Sequence, residues 1–359
     1  MRLGVIGTGK ISGIYLDNLL TRYQGADIVC IASAHPEHAA KKAAEYGLKA
    51  CTVDEMLSNP DVEATLILTP VGSHYDLIRR SLLAGKHVYT EKTLTDSLSS
   101  AKELLELSRS RGLCLGSAPD TFLGGLFQKA RELVDSGILG TVTSFKVCAT
   151  RDNMWLLPRF TFLLEEGAGV TLDYAVYYMT ALLSILGPVA SCAALSRNPF
   201  QDFTHEGTPL HNPNESELSG VLELASGVTG TFQINADSIG HDIADFAILG
   251  TKGILFLDNA NMFSGTLTFL PAGKTPDQAE TIPVTSPLVQ NERGLGLSDM
   301  IHAIAENRAP RASQELACHV LEVLEGMLTS GKERRFIDIL SRPERPAPLT
   351  DTEAQSFLK

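Results

Sequence analysis

Apolar residues follow two different rhythms along this chain. Over the first third, short unbroken apolar runs alternate with stretches in which apolar positions recur every three or four residues. Leu3–Ile6, "ADIVCIASA" (26–34), "VEATLILTP" (62–70), "HVYTEK" (87–92) and "LCLGSAP" (113–119) read as strands. Between them lie helical patterns: one reaching Leu20, "PEHAAKKAAEYG" with Pro36 near its start and Gly47 just past its end, "HYDLIRRSLLAGK", and "DSLSSAKELLELSRSRG" capped by Asp96 or Ser97. Strand and helix alternating in this way, with β-rich unbroken strands, predict a doubly wound parallel sheet covered on both faces.

After a helix ending at Gly137 the rhythm changes. "TVTSFKVCATR", "VASCAALSRN", "LSGVLELASGVTGTFQINADS", "DFAILGTKGILFLDN" and "GTLTFLP" are longer, and apolar residues alternate with polar ones. Strands that follow one another without intervening helices predict a mostly antiparallel, open sheet, with a hairpin at the Ser-Gly turn of "GVLELASGVTGTFQI". "LSDMIHAIAENR" and "QELACHVLEVLEGMLTSG" read as helices, and "RPERPAPL" as an extended strap. The predicted fold is therefore α/β: a dinucleotide-type (Rossmann) domain over 1–120, then an α+β domain over 121–359. Its strap, 341–359, would pack back toward the first domain.

Composition narrows the class. With 359 residues, 44% of them hydrophobic and 20% charged, the chain has the balance of a globular protein with sizeable cores. A net charge of −12 speaks against nucleic acid or anionic membrane as a partner. No apolar run approaches the roughly 18 residues of a membrane span, and the first strand leaves no room for a signal peptide. Six scattered cysteines with no CxxC pair suit a reduced, cytoplasmic setting. No HExxH or Cys/His cluster occurs, and no metal is expected.

The first chemical signal is Gly7-Thr8-Gly9-Lys10-Ile11-Ser12, a G-x-G-x-x-G turn with Ser12 in the third place. The first glycine permits a tight turn, the second admits a pyrophosphate, and the third place needs only a small residue. The helix that follows offers N–H groups to phosphate. A ribose-binding carboxylate is expected about 20 residues on. That place holds Ser33-Ala34, with His38 and Lys42 beyond. The missing carboxylate tilts the expectation toward NADP over NAD. Thr69, Pro70, His74 and the pair Glu91-Lys92 follow later strands, at the carboxyl ends where such sheets bind ligands. A second constellation, "EEGAGVTLDYAVYYMTALLSILGPV" (165–189), spaces Asp173 and Tyr177 four apart, on one face of a helix. An ordinary capping aspartate and packed tyrosines would give the same spacing. "DFTHEGTPLHNPNESE" (202–217) reads as a solvated polar loop.

The glycine turn, "TP…H", "EK" and "GAGVTLDYAVYY", in that order and spacing, resemble the glucose–fructose oxidoreductase/myo-inositol dehydrogenase/MocA family over nearly the whole chain. The resemblance implies an NAD(P)-dependent dehydrogenase acting on a hydroxyl of a sugar, cyclitol or related polyol. The family's Glu-Lys-Pro is Glu91-Lys92-Thr93 here, and Tyr177 stands where most members carry histidine, as in the subgroup similar to dihydrodiol and xylose dehydrogenases. The roles implied are Lys92 holding the reacting oxygen beside the nicotinamide, Tyr177 handling the proton, Asp173 orienting the sugar or tuning Lys92, and Glu91 on the cofactor side. A tyrosine serves as acid–base where an ammonium favours its phenolate. The loop with Arg151, Asn153 and Trp155 is implied to border the substrate. A homodimer or homotetramer through the open sheet is implied as well. A nucleotide-sensing protein without turnover, or a lyase or glycosidase recycling bound NAD, are the other activities the scaffold admits.

Overall fold

The computed structural model describes residues 1–165, 167–238, 240 and 243–359. The chain divides into two compact units. The first comprises Met1–Leu123, Asn291–Cys318 and Leu349–Lys359, and the second comprises Gly124–Gln290 and His319–Pro348.

The first unit is built on a six-stranded parallel sheet: β1 (Arg2–Ile6), β2 (Asp27–Ala32), β3 (Lys49–Ala50), β4 (Ala64–Ile67), β5 (His87–Thr90) and β6 (Leu115–Ser117), in the order β3-β2-β1-β4-β5-β6. That order reverses direction between β1 and β4, which opens a crevice beyond their carboxyl ends. Helices α1 (Ser12–Thr21), α2 (Pro36–Tyr46), α3 (Val53–Ser58), α4 (His74–Leu83) and α5 (Leu98–Ser110) make the crossovers. The unbroken apolar strands are buried: Leu3, Val5, Ala64, Leu66, Ile67, Val88 and Tyr89 are inaccessible to solvent.

The second unit carries a nine-stranded sheet in the order β16-β15-β14-β13-β7-β12-β11-β8-β17. Its strands are β7 (Val142–Thr150), β8 (Val189–Arg197), β11 (Glu217–Leu224), β12 (Thr229–Asn235), β13 (Ala244–Gly250), β14 (Gly253–Leu257), β15 (Leu267–Pro271), β16 (Glu280–Thr281) and β17 (Ile337–Asp338). The β7–β12 pair is parallel and the other pairs are antiparallel. Alternation along each strand gives the sheet one buried face, with Phe145, Val147, Phe232, Ile234, Phe246 and Ile248 in the core. Helices α6 (Gly125–Asp135), α7 (Asn153–Leu156) and α8 (Val176–Leu186) belong to this unit, and every residue of α8 from Val176 to Ile185 is buried. On the opposite face the register aligns Val221, Thr231, Lys146, Ala247 and Phe256 in one row.

The 202–217 segment, expected as a loop, forms a hairpin of β9 (Asp202–His205) and β10 (Thr208–His211). Its tip is Glu206-Gly207, both with positive φ, which is the geometry a two-residue hairpin turn requires.

The chain then returns to the first unit as α9 (Leu295–Glu306), and α10 (Gln314–Glu333) carries it on to the second. Leu349–Lys359 again belongs to the first unit and contains α11 (Asp351–Phe357). The sequence boundary at 120 leaves both returning segments in the second domain, with only the strap 341–359 packing back toward the first. What holds them is side-chain chemistry that hydropathy does not display. Buried Glu292 accepts from the Arg22 guanidinium through both oxygens at 2.6 Å, and Tyr23 Oη donates to its carbonyl at 2.8 Å. Asn18 Nδ2 donates to Asn291 O and Arg293 O. Arg311 joins buried Asp299 to Glu353 of α11, at 2.6 and 2.8 Å.

Candidate active site

In the first unit the glycine turn joins β1 to α1. Gly7 has φ +113°, and a Cβ there would stand 2.7 Å from the Leu68 carbonyl carbon. Only glycine fits, in both conformation and space. Gly9 is the opposite case, since a Cβ there would meet nothing within 4 Å. The space above it is open. Ser12 Oγ turns back to donate to Gly9 O at 2.7 Å. The first turn of α1 has no side-chain cap and no acidic residue, so no side-chain charge offsets its positive dipole end, although the Ser12 N–H donates to Gly9 O at 3.0 Å. A pyrophosphate fits this turn. Lys10 is exposed beside it and Ile11 is half-buried.

At the end of β2, Ser33 is half-buried, and its Oγ lies 3.3 Å from Thr8 Oγ1 and 3.4 Å from the His35 N–H. Ala34 and His38 are exposed, and the rings of His35 and His38 meet at 5.1 Å. Beyond β4, Thr69 Oγ1 accepts from Ser73 Oγ at 2.8 Å, and exposed Pro70 starts the turn into α4. His74 is fully buried, with Nδ1 2.8 Å from Thr93 O and Nε2 2.9 Å from Thr69 O. Burial pulls its pKa down, against the two carbonyls. It clasps the end of β4 to the backbone just past Lys92.

Glu91, at the end of β5, is buried. Its Oε1 accepts from Tyr15 Oη at 2.6 Å and its Oε2 from the Lys92 N–H at 3.0 Å. Burial first, then Glu91, pushes the Tyr15 phenol well above its ordinary value, so it remains a donor. Lys92 is half-buried, and the Lys92–Thr93 peptide bond is cis. Behind this row Asp120 is completely buried and accepts from the Gly294 and Gly296 N–H groups at 3.0 Å. Burial raises its carboxyl to about 6.

In the second unit the "GAGVTLDYAVYY" segment is not one continuous α-helix. Thr171–Ala175 forms a π-helical turn that leads into α8. A π turn shifts side-chain phase, so a spacing of four no longer guarantees a shared face. Asp173 Oδ2 accepts from Arg151 Nη1 at 2.5 Å. Arg151 Nε also donates to Asn153 Oδ1 at 3.0 Å, and its guanidinium lies 5.2 Å over the Tyr174 ring. The Tyr174 and Tyr178 hydroxyls are 3.1 Å apart, and Tyr178 donates to Asn259 Oδ1 at 3.0 Å. Tyr177, 8% exposed, sits at the start of α8. A cavity of about 520 Å³ opens here, walled by Arg151, Asp152, Trp155, Tyr174, Asn259 and Asn261 among others.

The structure thus sets Arg151 and Trp155 in the wall of one cavity in the second unit, with Asn153 and Asp173 bonded to Arg151. The first unit gathers the glycine turn, Thr69, Glu91 and Lys92 at strand ends. Sequence reasoning missed Tyr174, Asn259 and Asn261. It also missed what braces the Gly-rich turn. Asn214 Oδ1 accepts from Gly167 N at 2.8 Å, and Glu215 Oε1 accepts from Thr171 N at 3.0 Å. A Cβ at Gly169 would lie 2.2 Å from Glu215 Oε1. "NPNES" was read as part of a solvated loop, yet Asn212, Asn214 and Ser216 are buried. Among the described residues no group of three or more His, Cys, Asp or Glu is placed to hold a metal ion, and no helix is long and apolar enough to cross a membrane.

A chain that couples such a main-chain phosphate cradle to a separate polar cavity has the build of a dinucleotide-dependent enzyme. It belongs to the Gfo/Idh/MocA family of oxidoreductases: residues 1–118 match the family's NAD-binding Rossmann fold and residues 127–256 its C-terminal domain. It is 27% identical to scyllo-inositol 2-dehydrogenase (NAD(+)) of Bacillus subtilis, over 72% of this chain and 73% of that one. It is 30% identical to dTDP-3,4-didehydro-2,6-dideoxy-α-D-glucose 3-reductase of Streptomyces violaceoruber, again over 72% and 73%. In fold it matches levoglucosan dehydrogenase solved with NADH and levoglucosan, at a TM-score of 0.82 and 19% identity, over 95% of this chain and 99% of that one.

Proposed function

We propose that this protein is an NAD(P)-dependent dehydrogenase or reductase acting on a CH–OH or C=O group of a sugar or cyclitol. The single observation that carries this reading is the cavity whose wall sets a guanidinium, aromatic rings and side-chain amides together, a lining suited to hydroxyl groups. The relatives named above act on an inositol and on a dideoxy sugar, which supports the same substrate class.

Gly7, Thr8, Gly9, Lys10 and Ile11 would hold the pyrophosphate at the α1 N-terminus. Ser33, with Ala34 and His38, would meet the adenosine ribose. With no carboxylate at Ser33 to repel a 2′-phosphate, NADP is slightly favoured over NAD. Thr69, Pro70 and Glu91 would line the nicotinamide end, and His74 would act by holding the backbone there. The nicotinamide, when bound, gives or takes the hydride. The protein's own work is to position groups and handle charge. In this reading the Lys92 ammonium holds the reacting oxygen, the Tyr177 phenol handles its proton, and Asp173 with Arg151 orients the ring. The open sheet face, where Leu195, Val221 and Phe256 are exposed, is the surface we propose for pairing with a second copy.

The test is a panel of inositols and aldoses followed at 340 nm with each cofactor. Lys92→Met should lower kcat by about 1,000-fold or more, within the span of lost acid–base and charge stabilisation, while cofactor affinity stays nearly intact. Unchanged turnover in that variant would remove Lys92 from the mechanism.

A further inference from the structure

Among the described residues, the one cation lining the cavity is already spoken for. Arg151 is buried, and two of its five N–H donors go to Asp173 and Asn153. A second carboxylate, Asp152, stands in the wall itself, where Oδ1 accepts from the Trp155 N–H and Oδ2 from the Gly240 N–H. An anion entering here would meet a guanidinium whose charge is already balanced by Asp173 at 2.5 Å, so little net attraction is left for it. It would also lose its hydration beside Asp152. Arg159 lies on the Trp155 ring at 4.5 Å and donates to Trp155 O. It braces the ring and does not line the cavity.

What the wall offers instead suits hydroxyl groups. Arg151 keeps donors beyond its two partners. Asn259 uses its carbonyl oxygen for the Tyr178 hydroxyl and the Asn261 N–H, which leaves its amide to donate. Trp155 is 54% exposed in a polar wall, an uncommon place for an indole unless something apolar covers it. The C–H face of a ring polyol is apolar, while its rim is hydroxylated.

Resting on the reading of this cavity as the substrate site, we propose that it selects an uncharged ring polyol, an unphosphorylated and non-uronic pyranose or cyclitol laid on Trp155. It would discriminate against sugar acids, sugar phosphates and nucleotide-linked sugars. Asp173 is the specificity-determining residue, because it keeps Arg151 from recruiting an anion.

Trp155 is the chain's only tryptophan, so its emission reports on this cavity alone. The full-length protein is titrated with myo-inositol and methyl glucoside, then with glucuronate, glucose 6-phosphate and UDP-glucose at matched ionic strength. The neutral ligands should shift the emission saturably, and the anionic ones should bind at least about tenfold more weakly, a difference of about 1.4 kcal/mol. Asp173→Asn should strengthen glucuronate binding by a similar factor. Should that variant fail to fold by circular dichroism, Asp152→Asn should shift the preference in the same direction by less. An anionic sugar that binds the native protein as tightly as its neutral parent, or no emission change with any neutral ring, overturns the proposal. Absorbance at 340 nm on the same samples separates the two readings. Turnover of glucuronate ends the charge selection and leaves the oxidoreductase standing. Saturable binding of neutral rings with no turnover on any of them does the reverse.

Discussion

The ligand-facing surfaces of the two units are made of different material. In the first, the surface offered to a dinucleotide is main chain: a glycine turn, an uncapped helix start and strand ends clasped by buried His74 and Glu91. In the second, the wall is mostly side chain, gathered from Arg151, Asp152, Trp155, Leu156, Tyr174, Asn259 and Asn261. A main-chain surface fails when a Cβ is added and is indifferent to most other changes. A side-chain wall fails when a functional group is removed. The first unit is therefore built to hold one ligand that does not change, and the second is built so that a few substitutions redirect it.

The contrast is easiest to break at the glycines. Gly9→Val should weaken dinucleotide binding by about 100-fold, or about 2.7 kcal/mol, with the melting temperature almost unmoved, because the new side chain meets only open space. Gly7→Val should lower the melting temperature as well, since its φ is positive and the Leu68 backbone is in the way. Calorimetric titration and thermal melts of both variants decide it. Normal binding in Gly9→Val would remove the main-chain cradle from the account.

Asp120 gives the next largest effect. Its carboxyl, about 6 when folded against 3.8 as the ordinary value, holds its proton in the folded state after the unfolded chain has released it. The folded state binds the extra proton between those values. This group's contribution to stability therefore falls as pH rises from about 4 to about 7, by about 2–2.5 kcal/mol at 1.4 kcal/mol per unit. Asp120→Asn retains an acceptor for Gly294 and Gly296 and cannot ionise. Denaturation at pH 4 and pH 7 should show native stability declining relative to the variant by that amount. A constant difference would mean the carboxyl titrates normally.

The smallest effect sharpens the comparison. Tyr15→Phe removes the phenol that donates to buried Glu91. A hydrogen bond to a buried charge contributes about 2 kcal/mol, so the melting temperature should fall, while the Trp155 emission response to a neutral sugar stays the same. A change in that response would couple the two sites.

The same difference in material explains what the sequence disclosed. Glycine spacing after an apolar strand constrains main chain directly, so the cradle and the parallel sheet were legible. β3 was missed because it is two exposed residues with no apolar pattern. α3 and α11 were missed although Thr52…Glu55 and Thr350…Glu353 are capping boxes, a signal that was on the page. The π turn at Thr171–Ala175 has no composition of its own, so Asp173 and Tyr177 read as helix neighbours. Tyr174 and Asn259 reach the same cavity through an interaction spanning 81 residues, from Tyr178 to Asn259. Nothing local marks such a pair.

The returning segments bear on how the molecule is made. Asn18, Arg22, Tyr23 and Gln24 take partners at Asn291, Glu292, Arg293 and Phe357. On the ribosome, the amino-terminal strands emerge long before those partners exist. The nucleotide-holding half can begin to collapse early, yet these contacts wait until the segments around Glu292 and Phe357 have been translated.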